Sequence, residues 1–162
     1  MTQHTDSANL ALEIALPGFQ TFQVVFLWIH DWIPLGRLND VAAVRNQDTL
    51  RRRVIVTLVQ SVPFSIVLVW SAWYFGRPYP HGLDMWLWII YGASLVGYLR
   101  AWWVPYLVCA DPNRATRYQI MFGNTHSFLP QRNGLSPNTA HILLQLATAG
   151  TLLALWMRDF KR

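Results

Sequence analysis

The 162-residue chain is 53% hydrophobic and only 13% charged, about half the charged share of a soluble globular protein, which is too little to coat a water-soluble fold. The +5 formal charge and pI near 9.9 would suggest nucleic acid in a soluble domain. Here the basic residues lie in short segments between apolar runs, where they set topology and meet anionic lipid instead, so no nucleic-acid partner is expected.

Residues 1–18 read as an external N-terminal tail containing His4. Met1 to Leu10 has no Lys or Arg and carries Asp6, so it lacks the basic start of a secretory signal and no cleaved leader is expected. Residues 19–35, FQTFQVVFLWIHDWIPL, form the shortest apolar run, at the lower limit for a span. Phe22 to Ile29 is apolar around most of its circumference apart from Gln23, which favours a first transmembrane helix over one lying in the interface. Residues 36–53 read as a loop in which Asn39 or Asp40 caps a short helix running through Asp48 to Arg53. Arg51, Arg52 and Arg53 would then rest on anionic lipid head groups.

The clearest span is 54–75, uncharged throughout and long enough to cross the hydrocarbon, with Pro63 near its middle. A short external loop, 76–84, holds Arg77 and His81. The third span, 85–105, has Arg100 near one end, close enough to snorkel, beside Trp102, Trp103 and Tyr106 as an aromatic belt. Residues 106–139 read as a second loop. Asp111-Pro112 starts a helix there and Gly123 stops it; Tyr118, Met121 and Phe122 share its apolar face, as in an interfacial helix. The last span is 140–157, followed by a basic tail, 158–162. Ala93 and Gly97, and Gly150 and Ala154, are small residues four apart, a spacing that lets helices approach closely.

Lys and Arg in short loops set orientation. Arg37, Arg45, Arg51, Arg52 and Arg53 fall in the first loop and Arg114, Arg117 and Arg132 in the second, whereas Arg77, Arg158, Lys161 and Arg162 fall across the membrane. Both arginine-rich loops are therefore expected in the cytoplasm, with the termini outside. The fold class that follows is an all-α, polytopic integral membrane helical bundle of four transmembrane helices, with short interfacial helices on the cytoplasmic side and the cell (inner) membrane as its location.

His30, His126 and His141 map to one depth, the cytoplasmic side, near Asp31 and Arg132. Ionisable groups at membrane depth usually face a partner or a water-filled cavity. The pattern suggests a polar pocket in which Asp31 orients His30 and Arg132 holds an anionic group. The bland reading is that these histidines cap helix ends or sit among head groups. Paired histidines would suit a metal with Asp31, or a haem between His30 and His141, but no His-x-x-x-His spacing supports either. The echo between His30-Asp31-Trp32-Ile33-Pro34 and His126-Ser127-Phe128-Leu129-Pro130 is too short to mark a repeat.

Cys109 is the only cysteine, which excludes an intramolecular disulfide and a Cys-x-x-Cys pair. Dinucleotide, phosphate-loop, nucleophile-elbow and zincin motifs are absent. Three function classes remain. The first is a small bundle acting by association, as an accessory subunit or homo-oligomer. The second is a membrane enzyme or redox protein acting on a lipid or quinone through His30, Asp31, His126, Arg132 and His141. The third is an oligomeric transporter or channel with Gln60 and Gln145 on its path.

Overall fold

The computed structural model describes residues 2–160, with side chains from Leu10 onward; Lys161 and Arg162 of the basic tail lie outside the described residues, as does the side chain of His4. The chain is all-helical in the order α1 (Thr2–Ile29), a 3-10 turn (Gly36–Leu38), α2 (Val41–Gln47), α3 (Leu50–Trp73), α4 (His81–Tyr98), a π-helical turn (Leu99–Trp103), α5 (Val104–Leu107), α6 (Pro112–Phe122) and α7 (Thr139–Phe160). Among the described residues, four segments are long and apolar enough to cross a membrane: Leu10–Ile29, Leu50–Trp73, His81–Leu107 and Thr139–Phe160. This is the architecture of a multi-pass membrane helical bundle.

The first candidate span, Leu10–Ile29, overlaps residues 19–35 but begins earlier and ends earlier, because Pro17 sits inside α1 without ending it and the helix stops at Ile29. His30 to Pro34 leave the helix, and Asn39 fastens this segment by donating to the carbonyls of His30 and Ile33 and accepting from Leu35 N. The first loop also divides differently from the expectation. Asp40 does cap a short helix, accepting from Ala43 N, but α2 ends at Gln47. Thr49 then starts α3 by accepting from Arg52 N, so Arg51, Arg52 and Arg53 belong to the third helix. Asp111 caps α6 as expected, accepting from Asn113 and Arg114 N–H groups.

Helix α7 is central. It packs against α1 through buried polar contacts: Gln23 Nε2 donates to Thr151 Oγ1 at 3.0 Å, and Thr148 Oγ1 donates to Gln23 Oε1 at 2.8 Å. Gln20 Nε2 reaches Ser71 Oγ on α3 at 3.1 Å. Polar groups in hydrocarbon find one another because lipid offers them no partner. The apolar core of Leu16, Phe26, Leu27, Phe64, Val67, Leu83, Leu87, Tyr91, Leu144 and Leu155 fills the space around them. Gly150 lets α1 come close, since a Cβ there would lie 2.9 Å from the Phe19 ring. At the end away from the arginine-rich loops, Arg158 pairs with Asp84 and lies 4.3 Å over the Tyr79 ring.

The segment between α6 and α7 is folded back on itself. Arg132 and Leu135 exchange backbone hydrogen bonds around Asn133 and Gly134, whose φ angles of 52° and 74° suit Asn and Gly in the left-handed region. Leu135, Pro137 and Asn138 are buried. Tyr106 and Asn133 tie this segment to α5, and His126 N–H donates to Arg37 O in the first loop.

Candidate functional site

Helices α3 and α4 meet at mid-bundle, where the Phe64 and Tyr91 rings lie edge to face at 5.1 Å. From there toward the arginine-rich end they part, leaving a side-open cleft of about 680 Å³. Its length is mostly apolar, with Val56, Val59, Pro63, Ile89, Ala93 and Gly97 on the two walls and the polar Gln60 and Ser94 among them. Ala93 and Gly97, whose spacing lets helices approach within the bundle or between protomers, are exposed here on the cleft wall.

The end of the cleft is polar. His30 and Asp31 come from the end of α1, Asp48 and Arg52 from the α2–α3 junction, Arg117 from α6 and His141 from α7. Asp48 accepts from Arg117 at 2.7 Å and from Arg52 at 3.2 Å, so two of the expected loop cations converge on the cleft. Arg53 faces the other way. It is buried, lies 4.3 Å over the Trp32 ring, and donates to Asp31 O at 2.7 Å. Only Arg51 and Arg52 of the expected head-group triad are exposed.

The π-helical turn positions the aromatic wall. Pro105 has no N–H for the helical ladder, and Val104 N–H instead reaches back five residues to Leu99 O. This local widening turns Trp102 inward while Trp103 Nε1 donates to Gln145 Oε1 at 2.7 Å. Trp102 lies 4.8 Å from the His141 ring, 4.7 Å from Tyr118 and 5.2 Å from Phe122. The apolar face of α6, expected to lie on lipid, thus covers the end of the cleft. Burial against these rings pushes the pKa of the Tyr118 phenol above its ordinary value, with Arg114 and Arg117 acting in the opposite direction.

His30 and His141 are neighbours, with perpendicular rings 5.9 Å apart. Phe26 stacks on His30 at 4.7 Å, and Phe122 lies 5.1 Å from His141. His30 Nδ1 is 3.0 Å from Phe26 O and its Nε2 is 3.4 Å from Asp31 Oδ1. His141 Nδ1 is 2.6 Å from Asn138 Oδ1. The structure therefore brings His30, Asp31 and His141 to one place. The other two expected site residues are elsewhere. His126 is exposed, with Nδ1 2.8 Å from Thr139 Oγ1, and fastens the loop to the start of α7. Arg132 is exposed at the tight turn and does not line the cleft. Among the described residues, no group of three or more His, Cys, Asp or Glu side chains is arranged to hold a metal ion.

Sequence reasoning missed Trp102, Tyr118, Phe122, Asp48, Arg52 and Arg117 as parts of this site. The available signal was Pro105 after the Trp pair, which marks a disturbed helical turn. Comparison with family models, characterised proteins and solved structures found no match, so the chemistry of the cleft alone carries the functional reading.

Proposed function

We propose that this protein binds a membrane amphipath, a lipid or a quinone, from the cytoplasmic leaflet of the cell inner membrane. The single observation that carries the reading is the cleft of about 680 Å³, which joins a polar end at His30, Asp31 and His141 to an apolar length along α3 and α4. That volume falls within the range of small-molecule sites. The orientation rests on the arginine content of the two loops. Arg52 and Arg117 stand at the mouth, where an anionic part of the ligand would meet them, and Arg51 and Arg52 face anionic head groups.

The association reading is favoured by the exposed apolar strip of Ile66, Val69 and Trp73 on α3, a surface that lipid chains cover equally well. The transport reading gains less, since Gln60 faces the cleft whereas Gln145 is buried against Trp103.

The test is the Gly97→Trp variant, whose indole would fill the cleft; nothing lies within 4 Å of a Cβ at this position. Native mass spectrometry of detergent-purified wild type should show one amphipath retained per chain. The variant, with unchanged helical circular dichroism, should have lost it. Equal retention in both proteins, or none in the wild type, would refute the proposal.

A further inference from the structure

Two polar side chains stand on the otherwise apolar walls of the cleft, Gln60 on α3 and Ser94 on α4. The edge-to-face contact of Phe64 with Tyr91, 5.1 Å between ring centres, fixes how the two helices align. Gln60 precedes Phe64 by four residues and Ser94 follows Tyr91 by three. The two spans cross in opposite directions, so at about 1.5 Å per residue both side chains come to one level, about 5 Å from the ring contact toward the arginine-rich end. That level is deep. Ser94 is the central residue of the span His81–Leu107, and Gln60 lies beside the middle of Leu50–Trp73.

Among the described residues, neither side chain has a hydrogen-bond partner. The backbone is short of a bond at the same place, because Pro63 has no N–H to offer the carbonyl of Val59, which also lines the cleft. An amide or hydroxyl without a partner is costly in hydrocarbon. From the middle of a span, neither side chain reaches the lipid head groups. The polar end of the cleft does not answer them either, since Arg52 is eight residues from Gln60 and Trp102 eight residues from Ser94, about 12 Å along each helix. A partner at this level has to come from the occupant of the cleft.

Resting on the amphipath reading, we infer that Gln60 and Ser94 hold the ring oxygens of a quinone at the centre of the bilayer, which narrows the ligand class to quinones. A diacyl phospholipid keeps its ester oxygens near the head groups and offers hydrocarbon at this depth. A quinone ring is uncharged and carries an apolar tail, so its oxygens travel to the middle of the membrane. The site suits both redox forms. Gln60 Nε2 and Ser94 Oγ donate to a quinone carbonyl, whereas Gln60 Oε1 accepts from a quinol hydroxyl. Phe64 lines the cleft beside Gln60 and gives a flat ring a surface to pack against. The tail leaves through the side opening past Val59 and Ile89, both exposed.

The experiment uses the full chain in dodecyl maltoside with three probes: decylubiquinone, decylubiquinol and dioleoyl-phosphatidylglycerol. Occupancy is read by native mass spectrometry, and the ring carbonyls of ¹³C-labelled decylubiquinone by infrared difference spectroscopy. One decylubiquinone should bind per chain, with decylubiquinol within about threefold of it and the phospholipid weaker than both. Gln60→Leu and Ser94→Ala should each weaken decylubiquinone about threefold and together roughly eightfold, the scale of one and two hydrogen bonds in a bilayer. The carbonyl band should lie below its position in detergent alone and move back in the double variant. Should the double variant not fold, Ser94→Ala and the wild-type carbonyl band decide the matter.

Decylubiquinone binding that is lost in Gly97→Trp but unchanged by Gln60→Leu and Ser94→Ala overturns this inference and leaves the cleft reading intact. So does an unshifted carbonyl band, or binding of the phospholipid alone that Gly97→Trp abolishes. Loss on His141→Phe without loss on Gln60→Leu places the ring at the polar end instead, and a dimer that dissociates on Gln60→Leu assigns the amide to a second copy of the chain; either overturns the inference. Absence of binding by all three probes, or binding indifferent to Gly97→Trp, overturns the cleft reading and this inference with it.

Discussion

Replacing Gln23 by leucine removes the main polar contact between α1 and α7 while keeping the volume of the side chain close to its original. Gln23 is fully buried. It donates to Phe19 O and Thr151 Oγ1, both at 3.0 Å, and accepts from Thr148 Oγ1 at 2.8 Å. Two of these bonds cross between helices. Each threonine hydroxyl has a carbonyl of its own helix within reach: Thr151 donates to Ala147 O at 2.9 Å, and the single Thr148 proton, shared with Gln23 Oε1, can turn wholly to Leu144 O at 3.0 Å. The variant thus strands no hydroxyl in the hydrocarbon. The expected cost is that of two interhelical bonds at about 0.6 kcal/mol each, or about 1.2 kcal/mol. It is not the roughly 2–7 kcal/mol of an unpaired buried polar group. Reversible unfolding in mixed dodecyl sulfate micelles, followed by circular dichroism, should show an equilibrium shift of roughly eightfold, using RT of about 0.59 kcal/mol. In a double-mutant cycle with Thr148→Val and Thr151→Val, most of that loss should appear as coupling. A loss above about 3 kcal/mol would mean that the hydroxyls had lost their only partner, and no loss at all would mean that these bonds do not hold the helices together.

Two further outcomes follow from the ends of the bundle. Arg158→Gln leaves Asp84 without its guanidinium and Tyr79 without its cation. Because the pair is only partly buried, the expected cost is about 2 kcal/mol, between an exposed and a fully buried ion pair, with full recovery in the same unfolding assay counting against the argument. Tyr118 titrates higher in the folded chain because it is buried against Trp102 and Phe122. The unfolded chain therefore releases this proton first, so the contribution of the neutral phenol is complete below about pH 10 and is lost as the pH rises through the folded value. Stability measured across that range should fall less steeply in Tyr118→Phe than in wild type, and parallel curves would refute the reasoning.

The spans were legible in the amino-acid sequence because length and apolarity suffice to define a membrane helix, and the three later ones lie close to where their apolar runs place them. The helix starts at Asp40 and Asp111 were legible for a similarly local reason, since a capping side chain bonds to backbone only two or three residues away. The first span was harder. Residues 1–18 were expected as a tail, yet α1 runs from Thr2 through Pro17 to Ile29.

The candidate site was only half legible. Composition and loop position placed His30, Asp31 and His141 at one depth, but depth is a single coordinate, and His126 and Arg132 share it while facing elsewhere. Which side chains meet is settled by rotation about each helix axis, and that depends on distant contacts: the π-helical turn before Pro105 that turns Trp102 inward, the packing of α6 beneath it, and the fastening of Asn138 to Leu38. Hydropathy along the chain reports burial in lipid or water, which is why the sequence alone determined a basic-looped bundle of membrane helices. The separation of α3 from α4 and the pairing of the two imidazoles arise from contacts between residues distant in the chain, up to about a hundred positions apart, which only the tertiary structure decides.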